Sequence, residues 1–154
     1  MQLDRTATVL DIISTQRNNG TLLSALDSFL AQYVAVILYS EMEEKISELI
    51  QKKLSEHTNQ TIATFLNSNM QGIIKRTSKA DIAKFVAMFD SNFKTDFNSM
   101  ITDVTAARYQ NAIQARHDAA HGKGSGVTLS DLELGLRAAN EILLALDACF
   151  PPTL

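Results

Sequence analysis

A chain of 154 residues with 45% hydrophobic content is long enough to bury one proper core and short for two domains. A formal net charge of −3 excludes a generally basic surface, so any nucleic-acid contact has to come from a local patch of Lys and Arg. A single cysteine, Cys149, excludes an intrachain disulfide and suits a reducing compartment.

The opening MQLDRTATVL has no basic region followed by an apolar run, so no signal peptide is expected. The most apolar window, Phe29 to Leu38, is well short of the about 20 residues a membrane span needs. A soluble, cytoplasmic protein without a membrane partner is the expectation.

Both prolines, Pro151 and Pro152, stand at the far end, and apolar residues recur at three- and four-residue steps, which predicts helices throughout and no strand. A first helix is expected from Leu3 to Arg17, burying Leu3, Val9, Leu10, Ile12 and Ile13, with Asn18, Asn19 and Gly20 breaking it. A long second helix runs from Leu22 to Glu56. Its apolar stripe is Leu26, Leu30, Val34, Ile37, Met42, Ile46, Leu49 and Ile50.

A shorter helix over Thr61 to Met70, stopping near Gly72, follows. Ser78-Lys79-Ala80-Asp81 resembles a capping box opening a helix that turns Ile82, Phe85, Val86 and Phe89 inward. Phe93 and Phe97 extend the apolar thread towards Met100. The next helix starts near Thr102 and packs through Val104, Ala112, Ala115 and Ala119, whose small side chains allow close approach of a neighbour. Thr128-Leu129-Ser130-Asp131 is a second capping box, opening a last helix through Leu132, Leu136, Ile142, Leu143 and Leu146. No repeat or linker divides the chain. The expectation is one all-α domain over residues 1–154, a compact bundle of about five to seven helices.

The chemistry gathers in RYQNAIQARHDAAHG, Arg108 to Gly122, which holds two of the three histidines. At about 100° per residue, His117 and His121 lie one turn apart on one helix face. Arg116 stands roughly 140° from His121, so the two would flank a groove. Gly122 offers a left-handed stop and leaves His121 in the last turn, where free carbonyls favour cations.

Arg116-His117-x-x-x-His121 followed by Gly122 resembles the signature of the HEPN superfamily, an Arg and a His separated by four to six residues with a polar residue after the Arg. The stretch ILYSEMEEKISELI is similar to the long second helix of stand-alone bacterial members. The resemblance implies a helical bundle and a metal-independent endoribonuclease of the toxin or defence type, with a composite site in a homodimer cleft and no cofactor. RNA would be cut to 2′,3′-cyclic phosphate and 5′-hydroxyl ends, and an antitoxin or regulatory protein would be a partner. His121 would then be the base or acid, Arg116 the transition-state stabiliser, and His117 an orienting or substrate-contacting group. Some relatives carry a Tyr two residues after the His, which a partner nucleotidyltransferase modifies; Lys123 stands there, so that control is not expected.

The residues themselves add Glu43, which lies one turn from Tyr39 and Ile46 and could hold Arg116 or an imidazole, with Glu41 and Glu44 as alternatives. Lys123 and Arg108 complete a basic neighbourhood for RNA.

Rival readings use the same residues. Arg and His in a last turn can simply cap a helix. A HEPN domain can also bind nucleotide, RNA or protein without chemistry. His117-Asp118-x-x-His121 has the i, i+4 spacing of a zinc site, but its third ligand would have to come from His57, Glu133 or Glu141. GKGSG lacks phosphate-loop spacing and reads as a connector. Cys149, between Ala148 and Phe150, reads as packing. No metal is expected.

Overall fold

The structure, a computed structural model, describes residues 2–21, 26–56, 77–121 and 126–150, with Ala119 by its backbone alone. Among these stand six α-helices and no strand: α1 (Asp4–Asn18), α2 (Asp27–Ser55), α3 (Lys79–Val86), α4 (Ser91–Met100), α5 (Asp103–Ala120) and α6 (Leu129–Cys149). The all-α expectation holds. The helix expected over Thr61 to Met70, its stop near Gly72, and the stop at Gly122 lie outside the described residues.

The helix ends follow from short polar side chains. Asp81 N–H donates to Ser78 Oγ at 3.2 Å to open α3, Asn92 N–H to Asp90 Oδ1 at 2.8 Å to open α4, and Thr105 N–H to Thr102 Oγ1 at 3.1 Å to open α5. Thr128 and Asp131 form a full capping box at α6. At the end of α1, Gly20 takes a φ of 70°. Its N–H donates to the Arg17 carbonyl and that of Thr21 to the Gln16 carbonyl, a Schellman stop.

The first turn of α1 has no cap of its own; a carboxylate from α2 supplies one. Glu41 is 4% exposed. It accepts from Arg5 N–H at 2.8 Å, Thr6 N–H at 2.8 Å and the Thr6 hydroxyl at 2.6 Å. Leu3 N–H donates to Asn140 Oδ1 of α6 at 3.1 Å. Buried charge is tolerated here because its oxygens meet the positive end of a helix.

The core lies where α2, α5 and α6 meet, with α1 laid on α2 and α6, and α4 on α6 and α3. Along the 29 residues of α2, about 44 Å, Ala31, Val34, Ala35, Leu38, Met42, Ile46, Leu49, Ile50 and Leu54 are buried. α5 and α6 run antiparallel and approach closely. A Cβ added at Gly135 would stand 2.5 Å from Ala112 Cβ, so hydrogen is the largest substituent that fits there without movement.

Three expected core residues are exposed instead: Ile12 at 55%, Leu26 at 43% and Val104 at 57%. Each is out of phase. Ile12 is one residue off the stripe of Leu3, Thr6, Leu10 and Ile13. Leu26 belongs to a run of four-residue steps, which drifts about 40° per step on a 3.6-residue helix. Val104 lies about 100° round α5 from buried Thr105.

Replacing Glu41 by Ala strands two amides and is expected to cost about 3 kcal/mol in urea unfolding. Glu44→Ala removes only its exposed pair with Arg5 and should cost less than about 1 kcal/mol.

Candidate functional site

α5 presents two faces. On the inner one Thr105, Tyr109, Ala112 and Ile113 are buried, and Arg116 continues the stripe into the last turn. The half-buried guanidinium therefore leaves the helix towards α2, with Cζ 4.5 Å from the centroid of the Tyr39 ring. That is cation–π distance. One turn along α2 from Tyr39, Glu43 lies half-buried beside the phenol. Below them the Tyr109 hydroxyl, itself buried, donates to Thr77 Oγ1 at 2.8 Å.

Burial, foremost, raises the Tyr39 pKa above its ordinary value, the negative charge of Glu43 adds to this, and the Arg116 charge works against it. Burial likewise drives the Tyr109 pKa up. Both phenols are therefore neutral hydrogen-bond donors at physiological pH, and neither is a base.

The other face of α5 carries Gln110, Gln114 and His117 into a cavity of about 590 Å³ walled across from them by Tyr39, Glu43 and Arg116. Asp81 closes one end, joined to the Ser78 hydroxyl. His117 stands at the mouth, exposed, its ring centroid 4.4 Å from that of His121 and inclined at 63°. His121 is the first residue past α5; its N–H donates to the carbonyls of His117 and Asp118, each at 3.2 Å.

The expected groove is present, with its walls differently assigned. Arg116 and His117 line it with Glu43, whereas His121 lies outside it against His117. Arg108 does not join them. It is exposed and nine residues before His117, about 180° round α5, so it faces away from the groove. Lys123 lies outside the described residues. The three candidate acids of α2 separate cleanly: Glu41 caps α1, Glu44 pairs with Arg5 at 3.0 Å, and Glu43 lines the cavity. Tyr39, Thr77, Tyr109 and Gln110 escaped the reading of the sequence. Only the four-residue step from Tyr39 to Glu43 could have pointed to them, since Thr77 and Tyr109 meet through the tertiary fold.

Of the ligands considered for zinc, Glu141 accepts from the Thr105 hydroxyl at 2.7 Å. Thr105 is sixteen residues, about 24 Å of helix, from His121. His57 lies outside the described residues, among which no three His, Cys, Asp or Glu side chains gather. The Cys149 thiol is buried, and burial, with the charge of Asp96 next, pushes its pKa up to about 11. It packs as a neutral thiol.

An all-α bundle whose penultimate helix closes on Arg-His-x-x-x-His has the arrangement of a HEPN domain, a class that comprises nuclease and RNA-binding modules in general. The family model described as RiboL-PSP-HEPN matches residues 3–150, and the chain belongs to that family. No curated protein and no solved structure matches it. Among the described residues no helix is long and apolar enough to cross a membrane.

Tyr109 sets an alkaline limit. Unfolded, its phenol ionises near the ordinary value of 10.0; folded, it ionises higher. Above that value only the unfolded state releases the proton, so stability is level below it and falls as pH rises beyond it. Urea midpoints measured upward from about pH 9 should show this decline, and Tyr109→Phe should flatten it.

Proposed function

We propose that this protein is a metal-independent endoribonuclease that acts as a homodimer, its whole chain, residues 1–154, forming one HEPN domain. The observation that carries the reading is the end of α5, where one guanidinium lines a groove beside the His117 imidazole and the His121 ring packs against that imidazole in a T-shaped contact.

Cleavage of RNA through its own 2′-hydroxyl needs a base for that proton, an acid for the departing 5′-oxygen, and positive charge beside the phosphorus. Imidazole titrates near neutrality and can play base or acid. Guanidinium stays charged and grips phosphate oxygens in a fork. His121 serves as base or acid, Arg116 stabilises the pentacoordinate transition state from its seat on Tyr39, and His117 orients substrate and the neighbouring ring. Glu43 holds the polar side of that seat. The 2′-oxygen forms its bond to phosphorus as the 5′-oxygen leaves, which gives a 2′,3′-cyclic phosphate and a 5′-hydroxyl.

A single copy supplies one such set, whereas the reaction uses a base and an acid together. An apolar stripe supports pairing of two copies. Leu26, Phe29, Tyr33 and Val36 are 43%, 70%, 60% and 45% exposed along one side of α2, and the same three- and four-residue steps lead on to Tyr39 and Glu43. Exposed apolar stripes of this kind mark partner surfaces. A two-fold axis beside this one would set two grooves together, because each copy presents the same surface to the other. Restriction of growth or phage defence in the cytoplasm, under an antitoxin or regulatory partner, is the setting we infer.

The test is cleavage of single-stranded and structured RNA in EDTA, with product ends identified. Wild type should leave cyclic phosphate ends, His121→Ala should lose about a thousandfold in rate, and Arg116→Ala about a hundredfold. Phe29→Glu with Tyr33→Glu should sediment as monomer and lose cleavage with it. A folded wild-type dimer that cuts no RNA would transfer the assignment to a HEPN binding module without chemistry.

A further inference from the structure

A second groove runs beside the first, and nothing in the proposed reaction uses it. It has a volume of about 560 Å³ and lies between α3, α4 and α5. Ser78 and Gln110 line both grooves, so a chain leaving one enters the other.

Four alanines give it an apolar floor, Ala80 and Ala83 of α3 and Ala106 and Ala107 of α5. Its rim is cationic, made by Lys79, Lys84 and Lys94. Asn98, one turn from Lys94 on α4, and Gln110 add two carboxamides.

The lysines are notable for what they lack. No carboxylate is among the residues that line the groove with them. Among the described residues Lys79, Lys84 and Lys94 pair with none; the Lys79 ammonium reaches only the Ile101 carbonyl, at 3.4 Å. On a chain of net charge −3, three ammonium groups converging on one groove without a counter-charge leave a local potential that attracts an anion.

We propose that this groove is the docking track for single-stranded RNA on one side of the scissile phosphate. The assignment rests on the ribonuclease reading for its substrate and extends it to where the strand lies. Lysines take the phosphates as point charges. The alanine floor accepts the face of a base. The two carboxamides can donate and accept along a base edge. The volume falls within the roughly 300–1,000 Å³ of small-ligand sites, room for one or two splayed nucleotides and too little for a duplex, whose base faces are stacked away.

The test uses full-length protein and a fluorescent, 2′-O-methylated single strand of about 12 nucleotides, which binds without being cut. Anisotropy is read across a salt series. Lys84→Ala with Lys94→Ala should weaken binding about tenfold and reduce the salt slope by about 1.4, two phosphate contacts at about 0.7 each. Lys84→Arg with Lys94→Arg should restore binding. Lys52→Ala with Arg137→Ala removes two exposed cations outside both grooves and should change neither quantity.

Equal losses in the two alanine pairs, equal affinity for a duplex of the same sequence, or no binding by wild type would each overturn the track. RNA cleavage by wild type with no effect of Lys84 and Lys94 on binding sinks the track and spares the nuclease. A full effect on binding without any cleavage does the reverse.

Discussion

The close approach of α5 to α6 governs where everything else can stand. Gly135 gives up helix propensity, about 1 kcal/mol against alanine, so that Ala112 can pack directly against the neighbouring backbone. With that seam drawn tight, the side of α5 that bears Tyr109 and Ile113 meets α2. Arg116, on the same stripe one turn later, has nowhere to go but onto the Tyr39 ring. A wider seam would move the guanidinium out of the groove. The course of the end of α5 is therefore set at Ala112, one turn before Arg116, by the absence of a methyl group on Gly135.

The polar groups behind the groove form a chain of dependence rather than a set of independent contacts. Tyr109 is anchored by Thr77, Tyr39 lies between Glu43 and Arg116, and burial keeps both phenols protonated. A neutral phenol can present its ring face to a cation without the competing demands of a phenolate. Glu43 contributes negative charge beside the Tyr39 phenol, and Arg116 positive charge over its ring. Among the described residues no carboxylate forms an ion pair with the guanidinium.

What could be read in advance followed from local rules. The capping residues Ser78 and Thr128, the Gly20 stop and the i, i+4 pairing of His117 with His121 all depend on residues a turn or less apart, and each is found as expected. The family membership was likewise carried by a short motif and the order of helices. What could not be read depends on distant partners. In the sequence Glu41 is an alternative to Glu43, and only the first turn of α1 laid on it distinguishes its role. Arg108 lies half a helical circumference from His117, a phase that the run of the sequence does not display. Ile12, Leu26 and Val104 were apolar residues a fraction of a turn out of phase, which a stripe drawn by eye absorbs and a real helix does not.

The borrowed cap of α1 has a consequence for how the chain comes together. A helix of 15 residues is marginal alone in water, and the amides of its first turn wait for partners from elsewhere. Glu41 arrives some thirty-five residues later and Asn140 about a hundred after that. Among the six described helices α1 is made first and completed last, since Leu3 finds its acceptor only once α6 has been made. Until then α1 can be held by α2 alone, through Glu41 and the Arg17–Asp27 pair at its other end. The nascent hairpin of α1 and α2 is the natural nucleus, and closure of α6 over it is the step that makes the bundle whole.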